Sequence, residues 1–194
     1  MNKKIIVSSS DEKYFNLINE LFSSIKLNGL LNEYDFGILD TGLNSDQKIL
    51  LKDSGAIIIE AKWNSKVPNY KVRSRDHLKT QFARAFLPDY FPNYKTYVWL
   101  DADIWINDIE TFLLYEKGAE KNKICITPQV DRAYGSFAKV EWFFGFPKKI
   151  KTINYKNIGK SVSKSLAREL ALHPTLNAGA FAINNNLDLW SVFQ

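Results

Sequence analysis

Short apolar runs alternate along the chain with segments of helical period. Lys4 to Ser8 is an apolar run of strand length, and Ser9-Ser10-Asp11-Glu12 has the Ser-x-x-Glu spacing of a capping box, which satisfies the first free amides of a helix. Phe15, Ile18, Leu21, Phe22 and Ile25 follow at helical spacing, and Gly29 suits a left-handed helix end. Asp35 to Leu39 reads as a second strand. A helix opens over Leu43-Asn44-Ser45-Asp46, runs through Leu51 and closes at Gly55; Ala56 to Glu60 is a third strand. The β-α-β-α-β order predicts an α/β fold whose sheet is parallel and covered by helices on both faces.

Ala61 to Asp76 is polar and weakly periodic, and reads as a loop. Leu78, Phe82, Ala85 and Phe86 share one helical face, with a stop expected before Pro88. Thr96 to Leu100 is continuously apolar, as strands at the centre of a sheet are. Lys123 to Thr127 and Ala178 to Ile183 read as further strands, Lys148 to Asn157 as either loop or strand, and Ser161 to Leu172 as a helix. The aromatic stretch Trp142 to Pro147 is either core or the wall of a binding groove, with core the favoured reading. No repeat or linker interrupts the chain, so one domain over residues 1–194 is expected.

Hydrophobic residues at 45% and charged residues at 24% are globular proportions and exclude a disordered or low-complexity chain. A single cysteine, Cys125, excludes an intramolecular disulfide, points to a reducing compartment and reads as a buried, inert thiol. No apolar run approaches the roughly 18 residues of a membrane span, and the initial Ile5-Ile6-Val7 is too short for a signal peptide. A cytoplasmic protein is expected, with at most peripheral contact at the inner membrane surface. The net charge of +5 is uneven: Lys62 to Lys95 carries eight basic residues against Asp76 and Asp89, and the stretch between Glu141 and Glu169 has seven and no acid. Such stretches attract phosphate on a nucleotide or a lipid; no nucleic-acid-binding motif accompanies them, so no nucleic acid partner is expected. His77 and His173 are too isolated to suggest a metal site.

The strongest chemical signal is Tyr97-Val98-Trp99-Leu100-Asp101-Ala102-Asp103-Ile104-Trp105. A buried strand running into Asp-Ala-Asp sets two acids at the strand's carboxyl end, the edge where open α/β sheets bind ligands. A turn at that point brings both carboxylates to one hard cation, Mg²⁺ or Mn²⁺, which would neutralise a leaving diphosphate. Two acids inside a hydrophobic passage need such a reason, because an unpaired buried charge is costly.

Val98 to Ile104 resembles the Asp-x-Asp strand of GT-A-fold glycosyltransferases, and is most similar to family 8, the glycogenin and lipopolysaccharide galactosyltransferase type. Ile6-Val7-Ser8-Ser9-Ser10-Asp11-Glu12-Lys13-Tyr14 resembles that family's first strand and nucleoside loop. Ala83-Arg84-Ala85-Phe86-Leu87 resembles its diphosphate-reaching helix, and Leu176-Asn177-Ala178-Gly179-Ala180-Phe181 its sugar-pocket strand. Ile38 to Leu43, followed by Asp46-Gln47, is also frequent in that superfamily. The resemblance covers almost the whole chain and implies a GT-A, Rossmann-like fold with a mostly parallel central sheet flanked by helices.

It also implies roles. Donor contacts fall to Ser8, Asp11, Tyr14, Arg84, Asp101, Ala102, Asn177, Ala178 and Gly179. Asp11 meets the nucleoside with Tyr14 beside it, Arg84 pairs with phosphate, and Asn177 and Gly179 lie near the sugar. Asp101 touches the ribose or the metal, Asp103 is the principal metal ligand, and Asp131 is the catalytic-site acid that orients sugar hydroxyls. The implied activity is metal-dependent transfer, with Mn²⁺ or Mg²⁺, of a hexose from a nucleotide-diphospho sugar (a UDP-sugar) to a glycan, lipid-linked or protein acceptor. Retention of configuration follows from the family; an inverting enzyme would need a carboxylate base, for which Asp131 or Glu141 are candidates. The family continues past the Asn-Ala-Gly strand with a His-x-x-Gly-x-x-Lys segment that completes the metal site and grips the diphosphate. This chain stops at Gln194, so a C-terminally truncated domain is expected. Two alternatives remain open: a non-catalytic nucleotide-sugar-binding module, and a haloacid-dehalogenase-like phosphatase. The phosphatase is disfavoured because the motif lies mid-chain with Trp105 where that family has Thr or Val.

Overall fold

The computed structural model describes residues 3–64, 72, 75–120, 123–129, 138–185, 188 and 190–191. The chain divides into two compact units, Met1–Ile126 with Ala178–Gln194, and Thr127–Asn177.

The first unit is built on strands β1 (Lys4–Ser10), β2 (Tyr34–Asp40), β3 (Ile57–Glu60) and β4 (Thr96–Leu100). With β5 (Cys125–Pro128) and β8 (Leu176–Asn184) they form a six-stranded sheet in the order β3-β2-β1-β4-β8-β5. β1 pairs parallel with β2 and β4, and β2 parallel with β3, while β8 runs antiparallel to β4. The expected mostly parallel sheet is therefore present. Its central strands are buried on both faces. On β1, Ile6 packs with Ile18, Leu21, Phe22 and Val98, whereas Ile5 and Val7 join Leu87, Phe91 and Trp99 in a second core, as the two-residue period of a strand requires. Phe91 lies so close over β2 that a Cβ at Gly37 would come 2.7 Å from its ring, so this strand position needs glycine.

Helix α1 (Phe15–Leu27) begins later than the Ser9–Glu12 pattern predicts, with Tyr14 as N-cap and no side-chain cap bond. The reason is tertiary: β1 keeps pairing with β2 as far as Ser10–Asp40, which commits Ser9 and Ser10 to the ladder. Asp11 takes over the turn, its Oδ1 accepting from the amides of Lys13 and Tyr14 at 3.0 and 3.1 Å. A true capping box occurs at α2 (Ser45–Asp53), where Asn44 and Gln47 bond reciprocally. The helical face around Phe82 is broken into a 3-10 turn at Asp76–Leu78, α3 (Lys79–Ala83), a 3-10 turn at Arg84–Phe86 and α4 (Leu87–Tyr90). Pro88 does not stop this passage; it occupies the first turn of α4, where its missing N–H costs nothing. Helix α5 (Ile109–Glu120) follows β4, and Gly118 lies against Cys125, which is partly exposed rather than buried.

The second unit contains a hairpin of β6 (Ala138–Phe143) and β7 (Phe146–Thr152), then α6 (Ile153–Ser161) and α7 (Lys164–Glu169). The undecided Lys148–Asn157 segment is strand up to Thr152, whose side chain accepts from the Tyr155 amide and starts α6. Ser163 caps α7 in the same way, so the helix expected over Ser161–Leu172 starts only at Lys164 and ends at Glu169. The aromatic stretch is not core: Trp142, Phe143, Phe144 and Phe146 are all exposed, because they form the end of the hairpin.

Candidate functional site

The carboxyl ends of β1, β2 and β4 border a cleft of about 270 Å³ lined by Ser10, Asp11, Tyr14, Thr41, Asp101 and Asp103, among others. These residues arrive where a parallel strand gives way to the loop that follows it. After β2, Asp40 Oδ1 accepts from the amides of Gly42 and Leu43 at 2.8 and 2.7 Å, while its Oδ2 meets Lys48 Nζ at 2.6 Å. That turn docks on the β1 loop through Thr41 N to Ser10 O and Glu12 N to Gly42 O, each 3.0 Å. After β4 the chain turns at once: Ile104 N donates to Asp101 O at 3.1 Å, and Asp101 N to Gly179 O at 2.7 Å. The turn sets Asp101, Ala102 and Asp103 on the same cleft.

The two carboxylates differ in their surroundings. Asp101 Oδ1 accepts from Arg84 Nη2 at 2.7 Å and from Trp99 Nε1 at 2.8 Å. Its Oδ2 has no partner among the described residues, and Asp103 is exposed there without an ion pair or hydrogen bond. Trp99 sits two residues before Asp101 on the same strand face, so its indole N–H reaches the carboxylate while its ring stays in the core, 6.4 Å from Phe181. Arg84 lies over the Trp99 ring at 4.8 Å, and its Nη1 donates to Ala178 O at 3.1 Å. Burial pushes the Asp101 carboxyl above its usual range; Arg84 and the Trp99 N–H pull it down, and Asp103 pushes it up again. Burial likewise lowers Arg84, against the pull of Asp101. Desolvation thus outweighs attraction at both ends of this pair.

The expected site residues fall into three groups. Asp11, Tyr14, Asp101, Ala102 and Asp103 gather on the cleft. Arg84 and Ala178 are joined to it through Asp101, while Gly179 holds the Asp101 amide. Ser8 does not reach the cleft: it is fully buried and its hydroxyl has no hydrogen-bond partner among the described residues. Asn177 is half-buried on β8 within the second unit, and Asp131 lies outside the described residues. The cleft also includes Thr41, His77, Thr80 and Gln81, which the sequence reading did not assign. Thr80 is fixed by its hydroxyl donating to Ser9 Oγ at 2.9 Å. Trp99 was legible in principle, since the strand period places it on the face of Asp101.

An oxygen-preferring divalent cation fits these residues: Asp103 and Asp101 Oδ2 are hard donors free of other partners among the described residues, opening on a cleft with room for water or phosphate oxygens. Among the described residues no group of three or more His, Cys, Asp or Glu could hold a metal by itself.

The same architecture recurs among solved glycosyltransferases. The galactosyltransferase LgtC, in complex with donor and acceptor sugar analogs, is 17% identical with a TM-score of 0.58, over 93% of this chain and 57% of LgtC. The apo bifunctional glycosyltransferase WbbM is 15% identical with a TM-score of 0.56, over 94% of this chain and 31% of WbbM. These likenesses show the fold, and the chain spans a little over half the length of LgtC. No curated protein matches the chain. The sequence profile of glycosyl transferase family 8 matches residues 5–186, from β1 through the last strand, and the chain belongs to that family.

Proposed function

We propose that residues 1–194 work as one catalytic domain that transfers a hexose from a nucleotide-diphospho sugar, a UDP-sugar, to a glycan, lipid-linked or protein acceptor, with retention of configuration. The observation that carries this reading is the pair of carboxylates, Asp101 and Asp103, turned onto one cleft at the carboxyl end of the parallel strands. Asp11 and Tyr14 receive the nucleoside. Asp103 and the free Oδ2 of Asp101 hold Mn²⁺ or Mg²⁺, which when bound supplies charge neutralisation for the leaving diphosphate. Arg84 acts beside them. With Nη2 on Asp101 and Nη1 on Ala178, its guanidinium favours the diphosphate through its field and keeps Asp101 aligned. Asn177, Ala178 and Gly179 border the sugar, and Asp131 orients its hydroxyls. Work in the cytoplasm, with peripheral contact at the inner membrane surface, belongs to the same proposal. Among the described residues no helix is long and apolar enough to cross a membrane.

Calorimetric titration of UDP-glucose, UDP-galactose and GDP-mannose, with and without Mn²⁺, tests this reading. The expected result is metal-dependent binding of one UDP-sugar, followed by its consumption when an acceptor is supplied. Binding with no turnover on any acceptor would assign the binding-module reading instead. Absence of binding would overturn the donor site.

A further inference from the structure

The β6–β7 hairpin ends in a surface that an ordinary soluble hairpin avoids. Trp142, Phe143, Phe144 and Phe146 are 66, 58, 88 and 76% exposed. Phe143 pairs with Phe146 across a two-residue loop, Phe144-Gly145, with φ of 47° and 80°. A tight hairpin loop of this kind is left-handed at both central positions, and Asn-Gly is the pair that adopts it most easily. A phenylalanine there is strained by its Cβ and leaves most of its ring in water, costs that its edge-on contact with the Phe143 ring at 4.7 Å offsets only in part. A register irregularity between Glu141 and Trp142 further breaks the regular alternation of side chains just before the tip.

The charge around these rings is predominantly positive, with Glu141 the acid next to them. Residues 127–177 carry nine Lys and Arg against three Asp and Glu, a surplus of six that exceeds the +5 of the whole chain. Lys139 and Lys148 flank the tip, and Lys156, Lys160, Lys164 and Arg168 are exposed on the two helices that follow. Lys148 Nζ lies 5.3 Å from the centre of the Phe143 ring, so apolar and cationic groups are interleaved.

We propose that this hairpin is a lipid-contact element, which sets its aromatic rings at the boundary of headgroups and acyl chains of an anionic bilayer while the lysines meet lipid phosphates. Exposed aromatic rings at a hairpin end suit the wet-to-apolar boundary of a membrane, and a mostly positive surround suits a plane of anionic headgroups. A protein groove would instead call for mixed polar groups around the anchor. None of these residues lines the donor cleft, so the proposal is tested apart from donor binding.

The test is co-sedimentation of the full chain with phosphatidylglycerol/phosphatidylethanolamine vesicles and with phosphatidylcholine vesicles, at low and high salt. The expected result is binding to the anionic vesicles, weakened by salt, and little binding to phosphatidylcholine. Phe144→Asn is the informative variant: it installs the favoured Asn-Gly loop, so folding is kept or improved. It should lower partitioning about tenfold, the effect of withdrawing one aromatic ring from an apolar phase. Lys139→Glu with Lys148→Glu should abolish the preference for anionic lipid, and both variants should titrate nucleotide sugar as the wild type does. Wild-type protein that ignores both vesicle types, or Phe144→Asn protein that binds them unchanged, would overturn the proposal. Self-association that Phe144→Asn abolishes, without vesicle binding, would give the face to a second copy of the chain.

Discussion

The two ends of the parallel strands use buried charge in opposite ways. At the amino end, Lys4 opens β1, Tyr34 opens β2, and Glu116 reaches them from α5. Tyr34 donates to Glu116, Lys4 bonds both Glu116 and Glu33, and the Lys4 ammonium lies 5.1 Å from the Tyr34 ring centre. Burial, reinforced by Glu116, pushes the Tyr34 hydroxyl far above its ordinary range, so it stays a donor. Burial lowers Lys4, but Glu116 and Glu33 more than offset it and raise it. At the carboxyl end, among the described residues, Asp101 has one oxygen engaged and Asp103 neither. A closed network stabilises the fold; two neighbouring carboxylates with oxygens left open are kept at some cost.

The comparison breaks most visibly at Glu116. Glu116→Ala strands the Tyr34 hydroxyl and leaves Lys4 with Glu33 alone, with an expected loss of about 3 kcal/mol in urea denaturation and unchanged donor affinity. Asp103→Asn is the opposite case. Urea denaturation should move little, whereas calorimetry should show metal-dependent donor affinity falling about tenfold to hundredfold, the value of one charged contact. Asp40 separates pairing from position, since it lies at the carboxyl end yet is fully bonded. Burial raises it, but Lys48 and the amides of Leu43 and Gly42 prevail and hold it below the usual carboxylate range. Its contribution is therefore complete above the unfolded value of about 4 and is lost as the pH falls through the lower folded value. Asp40→Asn should cost about 2 kcal/mol near neutrality, and the gap from wild type should close in acid melts. The smallest effect belongs to Trp99→Phe, which keeps a ring in the core and removes one donor from Asp101 Oδ1. Mn²⁺ affinity, read by electron paramagnetic resonance, should weaken about threefold to tenfold, roughly the worth of one net hydrogen bond.

Much of the first unit was legible because its signals are local and repeated. Continuous burial of Thr96–Leu100 makes β4 readable from its residues alone, and the helical spacing of Ile18, Leu21, Phe22 and Ile25 does the same for α1. The gathering of Asp11, Asp101 and Asp103 on one cleft was legible because each follows a strand at the sheet edge where loops meet. Other features depended on partners distant in sequence. The Ser9–Glu12 pattern looks like a cap, but the β1–β2 ladder claims its serines. Ser8 was expected among the donor contacts, yet its strand position buries it completely. Trp142 to Phe146 reads as core by hydrophobicity, and only the hairpin loop between Phe143 and Phe146 puts those rings outside.

The sequence by itself determined the strand–helix order, the apolar faces and the Asp-Ala-Asp step at the end of β4, because hydrophobic period and turn chemistry act between near neighbours. The tertiary structure decided which carboxylate oxygens stay free. Arg84, Trp99 and Gly179 come from three separate elements, and they meet at Asp101 only once the strands have stacked in register. A hydrogen bond needs its partners within about 3 Å, and only the assembled sheet fixes positions that finely.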